Sequence, residues 1–271
     1  MISRRGFLGA VGMGIGAALL PISGRADDRN VVCSVIEDVE TGAALVRQGP
    51  CERRFSPCST FKFPLAAMGF DTGFLVDPQQ PLIDYRSEIG ASERERKATD
   101  PTIWLRDSII WYSRHVTKQL GRQRLQRYVD AWNYGNRDFS GTPGKDDGLT
   151  QAWLMSSLRI SPDEQVRFIR AFLRRELGIT AAAYDNTAAA LPVFQSAGGW
   201  TVHGKTGSGW LGDTPDTIEE SRPQGWFVGW AERGGRRLAF ARIEVGNQAT
   251  PPLTGAVVRT AVLAQLDALG R

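Results

Sequence analysis

Histidine and cysteine are scarce in this chain, whose 271 residues include only His115, His203 and three cysteines. The cysteine spacing does not match a zinc site and two histidines cannot complete one, so we expect no metal centre. The chain has no G-x-S-x-G motif, which disfavours an esterase of the α/β-hydrolase class. It also lacks runs of lysine and arginine interleaved with aromatic residues, so nucleic-acid binding is not expected.

The overall composition is that of a globular domain, with 42% hydrophobic and 23% charged residues. Disordered and membrane-spanning classes are therefore disfavoured. The mixed acids and bases from Ser92 to Lys97 predict a solvated surface rather than a binding patch.

The first 26 residues differ from the remainder and read as a cleavable export signal. Paired arginines at Arg4 and Arg5 precede Phe7-Leu8 and a short apolar run that ends before Ala26, a pattern similar to a twin-arginine signal. The apolar run is too short to span a bilayer. Removing residues 1–26 takes away three arginines and no acid, which lowers the formal net charge from +4 to +1. We expect one domain over residues 27–271, periplasmic or secreted, with no stable membrane association after cleavage.

Ser59 and Lys62 form an S-x-x-K pattern at the predicted start of a helix. In a helix, residues three apart share one face, so the amine can take a proton from the hydroxyl. The pair is thus a candidate nucleophile and base, although S-x-x-K alone is a common surface pattern.

Cysteine use supports an oxidising compartment, because Cys33, Cys51 and Cys58 all lie in one short segment of a chain that is expected to be exported. One disulfide and one free thiol are expected. We favour Cys33 with Cys51, since a bridge from Cys58 would tether the residue next to Ser59.

The order of predicted elements indicates an α+β fold. Strands are expected over 31–37 and 42–47, helices over 59–70 and 101–132, and a capped helix from Ser161 that ends before Gly178. Further strands are expected over 199–205, 224–232 and 237–245, followed by a helix over 253–269. This order predicts a central antiparallel β-sheet, formed by both ends of the chain and flanked by helices, with a mostly helical subdomain.

Further motifs follow the S-x-x-K pair in a specific order. They are Ser108-Ile109-Ile110, Tyr134-Gly135-Asn136, Trp153 and Lys205-Thr206-Gly207. With Ser59-Thr60-Phe61-Lys62, this series resembles the class D serine β-lactamases, the oxacillinase family, over nearly all of residues 31–270. The broader penicillin-recognising superfamily shares S-x-x-K and K-T-G, and the resemblance to class D in particular comes from Trp153 and the form of the middle motif.

The resemblance implies a mechanism with named residues. Ser59 would form an acyl-enzyme with a β-lactam antibiotic, and the backbone N–H groups of Ser59 and Ser208 would form the oxyanion hole. Lys62 would be modified by carbon dioxide or bicarbonate to a carbamate that acts as general base, held by the indole of Trp153; no other cofactor is implied. Ser108 would move a proton to the leaving nitrogen. The implied substrate-binding residues are Ile110, Lys205, Thr206, Gly207, Ser208 and Arg259.

Two residues depart from the family pattern: Ile110 stands where valine is usual, and Cys58 where alanine is commonest. Arg259 is proposed for the substrate carboxylate from its place near the final helix, with Arg237 and Arg242 as alternatives.

Two other functions share part of the pattern. A transpeptidase or carboxypeptidase has the serine, the lysine and K-T-G but does not hydrolyse its acyl-enzyme, and Trp153 argues against it. A β-lactam sensor would keep the same site in a membrane-anchored chain. Neither the β-lactams accepted nor the oligomeric state is readable from the sequence.

Overall fold

The fold is built on one six-stranded antiparallel sheet with the strand order β2-β1-β6-β5-β4-β3. The computed structural model describes residues 30–212, 217–247 and 253–269, so the predicted export signal lies outside the described residues. The strands are β1 Val31–Asp38, β2 Ala44–Gln48, β3 Val193–Gln195, β4 Thr201–Leu211, β5 Glu219–Arg233 and β6 Arg236–Val245. The helices are α1 Lys62–Asp71, α2 Pro101–Asp107, α3 Ile110–Ala131, α4 Gly148–Gln151, α5 Pro162–Leu173, α6 Ala181–Ala190 and α7 Gly255–Leu269.

Side-chain alternation along β5 divides the hydrophobic core between the two faces of the sheet. Trp226, Val228 and Trp230 belong to the core shared with α1, α3 and α5. Phe227 and Ala231 point to the opposite face and pack in the cluster that includes α7. Successive side chains of a strand point to opposite faces, so a strand covered by helices on both sides is apolar throughout.

The predicted fold class is confirmed, including the closure of the sheet by strands from both ends of the chain. β1 pairs with β6 in a register that places Val31 opposite Val245 and Asp38 opposite Leu238. Ser161 caps α5 in a complete capping box with Glu164, as the sequence indicated.

Three details of the fold differ from the sequence prediction. α5 ends at Leu173, because Arg175 takes a left-handed backbone conformation (φ 58°) before Gly178 is reached. The helical middle is broken at Ser108, which caps the end of α2 in a left-handed conformation. The short strand β3 was not predicted, since its three residues are too few for a periodic pattern.

The single disulfide of the described region joins Cys33 of β1 to Cys51, beyond the end of β2, with a Cα–Cα distance of 5.4 Å. This is the predicted pairing. Cys58 is a free, buried thiol. Among the described helices, none has the combination of length and apolar character needed to cross a bilayer.

Candidate active site

The centre of the site is a short 3₁₀ turn over Cys58–Phe61 that leads directly into α1. The turn places the Ser59 hydroxyl 2.9 Å from the Nζ of Lys62. Ser59 is half-buried and Lys62 is fully buried. Burial lowers the pKa of Lys62 to about 7, with a smaller opposing effect from Glu95. A lysine with that pKa is largely neutral at slightly alkaline pH, so it can act as a base toward the hydroxyl.

The loop before Ser59 is held by hydrogen bonds to its buried neighbour Ser56. The carbonyl of Ser56 accepts from Trp226 Nε1 at 3.0 Å and from Gln224 Nε2 at 3.1 Å, both on β5. The Ser56 hydroxyl donates to the Trp153 carbonyl at 2.9 Å and accepts from the backbone N–H of Met155 at 2.9 Å. Ser56 thus fixes the nucleophile turn against both the sheet and the segment that carries Trp153.

The K-T-G segment lies on β4, next to the nucleophile turn. A Cβ on Gly207 would lie 3.0 Å from the Pro57 carbonyl oxygen and 3.1 Å from Thr60 Cγ2, so only glycine allows this approach without a shift. β3 pairs with β4 only over 201–203. Within the described residues, no strand covers the same edge of β4 further along, and this leaves the K-T-G edge beside Ser59.

Lys205 connects this strand to the second hydroxyl of the predicted site. Its Nζ donates to Ser108 Oγ at 3.2 Å and to the Thr206 carbonyl at 2.9 Å. Lys205 is 1% exposed, and burial together with the nearby charge of Lys62 holds its pKa well below the usual lysine value. The left-handed conformation of Ser108 (φ 59°) turns the chain sharply between α2 and α3 at this point.

Trp153 is fully buried, and its ring stacks on Phe61 with centroids 5.5 Å apart. Its indole Nε1 is buried without a hydrogen-bond partner. A buried N–H normally has an acceptor, so an unpartnered one beside the turn of Ser59 and Lys62 is an open donor position.

The Tyr134-Gly135-Asn136 motif has a structural role in this geometry. Tyr134 is buried against Phe61, with ring centroids 6.0 Å apart. Asn136 donates through Nδ2 to the Ser157 carbonyl at 2.7 Å and accepts from the Arg159 N–H at 2.9 Å. The motif therefore clamps two loops together behind the nucleophile turn.

The three candidate arginines occupy different places. Arg259 on α7 lines a cavity of about 410 Å³ together with Lys205 and Thr206, and its guanidinium lies 4.5 Å from the ring centroid of Phe194. Arg237 pairs with Glu40, and Arg242 pairs with Glu244 at 2.7 Å. Of the three, Arg259 is the one placed beside the K-T-G strand.

The remaining predicted residues lie at the edges of this arrangement. Ile110 is half-buried and begins α3. Ser208 is exposed, and its hydroxyl accepts from the Gly255 N–H at 2.9 Å, which ties β4 to the start of α7. Cys58 is fully buried, its thiol lies 3.1 Å from Gln224 Nε2, and burial raises its pKa. A buried thiol with a raised pKa is a poor nucleophile.

The prediction that Ser92 to Lys97 is a solvated surface is wrong for Glu95, which is only 4% exposed. Its carboxylate accepts from the backbone N–H of Ile110 at 3.3 Å, two residues after Ser108. Charge alternation in the sequence gave no sign of this, since Glu93 and Arg94 beside it are exposed. Ser56 was also missed, because its partners lie about a hundred or more residues away in the chain.

Comparison with known proteins identifies the family to which this chain belongs. A family model described as the penicillin binding protein transpeptidase domain matches residues 26–265. β-Lactamase OXA-9 from Klebsiella pneumoniae is 48% identical over 257 residues, covering 93% of this chain and 94% of the relative. The crystal structure of the class D β-lactamase OXA-427 superposes with a TM-score of 0.80 at 39% identity, covering 88% of this chain and 98% of that one. The chain belongs to the class D β-lactamases.

More distant members of the family also match this class D β-lactamase. β-Lactamase OXA-1 from Escherichia coli is 30% identical and covers 79% of this chain and 76% of its own length. In the part of the chain that the structure describes, no cluster of three or more histidine, cysteine or acidic side chains could hold a metal ion.

Proposed function

We propose that this class D β-lactamase hydrolyses β-lactam antibiotics through an acyl-enzyme on Ser59. The observation that carries the proposal is the 2.9 Å contact between the Ser59 hydroxyl and a fully buried Lys62 whose pKa is about 7. A base near neutral pKa beside a hydroxyl is the arrangement that activates a serine nucleophile.

In acylation, the Ser59 oxygen bonds to the carbonyl carbon of the β-lactam and its proton passes to the base at Lys62. The carbonyl oxygen is placed between the backbone N–H groups of Ser59 and Ser208, where developing negative charge is stabilised. The C–N bond then breaks, and Ser108 gives its proton to the nitrogen and takes up the proton that the base at Lys62 received from Ser59. Lys205, 3.2 Å from Ser108 Oγ, supports this transfer. Hydrolysis of the ester by water restores Ser59.

The residues around Lys62 fit carboxylation by carbon dioxide. The reaction needs a neutral amine, which burial supplies, and the product needs a hydrogen-bond donor, for which the unpartnered Trp153 Nε1 is available. When present, the carbamate supplies a general base for both acylation and deacylation.

Substrate binding is assigned to the cavity beside β4. Its lining includes three basic side chains and two hydroxyls, which are those of Arg106, Lys205, Arg259, Thr102 and Thr206. A substrate carboxylate matches that charge. Ile110 begins the helix next to Ser108 and is proposed to contact the substrate or the water that reaches Lys62.

We further propose that the enzyme is exported to the periplasm or secreted. Support comes from the signal-like residues 1–26 and from the disulfide, which is typical of proteins in oxidising compartments.

The test is turnover of a chromogenic cephalosporin by purified enzyme with and without bicarbonate. We expect many turnovers per enzyme and higher activity with bicarbonate, and Ser59→Ala should abolish both. A single stoichiometric burst with stable acylation at Ser59 would refute hydrolysis and support a transpeptidase or a sensor.

A further inference from the structure

Glu95 is the buried acid among the residues that the structure describes. Buried charges are costly unless they are paired or hydrogen-bonded. The partners that hold this carboxylate therefore indicate what it does in the fold.

The contacts of Glu95 and Arg94 hold both ends of the turn that carries Ser108. Arg94 Nη1 donates to the Asp107 carbonyl at 2.8 Å, and Glu95 Oε2 accepts from the Ile110 N–H at 3.3 Å. Between these contacts, Ser108 adopts a left-handed backbone conformation that residues with a Cβ disfavour. Two adjacent residues thus hold the chain on either side of Ser108.

The Glu95 carboxylate also accepts from Arg94 Nη2 at 3.0 Å, and the Glu95 carbonyl accepts from Trp111 Nε1 at 2.8 Å. These bonds fix the carboxylate at the first turn of α3, where a negative charge is favourable. The carboxylate is therefore held by two groups and the backbone of Glu95 by a third.

We propose that Glu95 is a positioning residue of this active site, whose carboxylate holds the turn that carries Ser108. The proposal rests on the proposed function, because Ser108 acts in the proposed acylation. A carboxylate or amide oxygen at this position can accept from the Ile110 N–H, whereas a methyl group cannot and leaves one side of the turn unheld.

The experiment compares Glu95→Gln, Glu95→Ala and the control Glu93→Gln, which changes an exposed acid of the same short turn. Glutamine can still accept from the Ile110 N–H and alanine cannot, so the two variants separate the loss of this hydrogen bond from the loss of charge. Stopped-flow mixing with a chromogenic cephalosporin measures the acylation rate of each variant at saturating bicarbonate, and urea titrations measure its free energy of unfolding.

For Glu95→Gln we expect an acylation rate within about threefold of the wild type, while Glu95→Ala should lose about tenfold or more because Ser108 is no longer held. Glu93→Gln should match the wild type in both measurements. Should Glu95→Ala fail to fold, Arg94→Ala removes the bond to the Asp107 carbonyl from an exposed residue and should slow acylation in the same way.

Unchanged acylation in a folded Glu95→Ala would overturn the positioning of Ser108, and so would an equal loss of acylation in Glu95→Gln and Glu95→Ala. The acylation rate does not depend on later hydrolysis. If the wild type acylated only once, hydrolysis would be refuted, while the acylation rates would still decide the role of Glu95.

Discussion

Replacing Trp153 by phenylalanine removes the buried indole N–H that has no partner in the structure and keeps an aromatic ring against Phe61. If that N–H holds the carboxylated Lys62, the variant loses one hydrogen bond to a charged group. Such a bond is worth about 1.5–3 kcal/mol, which corresponds to about 10- to 150-fold in an equilibrium constant. We therefore expect Trp153→Phe to need 10- to 150-fold more bicarbonate for half-maximal activity.

The individual steps should respond unequally. In the proposed mechanism, deacylation depends on the carbamate to activate water, so it should slow more than acylation, and acyl-enzyme should accumulate. Rapid quenching followed by mass spectrometry of the intact protein measures the acylated fraction, and a bicarbonate titration of steady-state turnover measures the equilibrium.

Trp200→Phe is the matched control. Trp200 is also buried, and its Nε1 is also without a partner, but it packs in the α7 cluster on the opposite face of the sheet. Both variants should lose similar stability, about 1–2 kcal/mol, from the smaller ring. The assigned role of Trp153 would be refuted if Trp153→Phe kept the bicarbonate dependence of the wild type, or if Trp200→Phe changed it as strongly.

Three further predictions follow from the geometry. Because the pKa of Lys62 is about 7, activity at limiting bicarbonate should rise with pH through that value as the amine becomes neutral; a flat profile between pH 6 and 8 would contradict this. Cys33→Ser should lower the free energy of unfolding by about 3 kcal/mol in urea titrations. Adding reductant should leave the free energy of unfolding of this variant unchanged. Gly207→Ala should slow acylation at least about tenfold, since its Cβ would lie 3.0 Å from the Pro57 carbonyl oxygen and displace β4 from Ser59; wild-type acylation would be inconsistent with that contact.

The parts of the molecule that the sequence predicted are those encoded by local pattern. Residues of β1, β5 and β6 show the expected apolar runs, and the capping box at Ser161 marks the start of α5. The order of Ser59, Lys62 and the later motifs named the family before any contact was known. Their assigned roles stay predictions until the kinetics are measured.

The parts that the sequence did not predict depend on contacts between distant segments. Glu95 is buried because α3 begins beside it, and nothing in its charged neighbours indicates this. Ser56 looks like an ordinary loop residue until Trp226 and Trp153 are brought against it. The early end of α5 at Leu173 reflects the backbone of Arg175, where the apolar periodicity alone favoured continuation.

The pairing of β1 with β6 also constrains the order in which the chain can fold. The hairpin of β1 and β2 is local, and its cysteines are 18 residues apart, so this unit can form early. The other edge of β1 pairs with β6, which ends at Val245. The Ser34 hydroxyl of β1 also donates a hydrogen bond to Gln265 of α7 at 2.6 Å. Contacts of such long sequence separation slow folding. The sheet that supports Ser59 therefore closes only after nearly the whole chain has been synthesised, and truncation of α7 should leave the amino-terminal strand without its last partner.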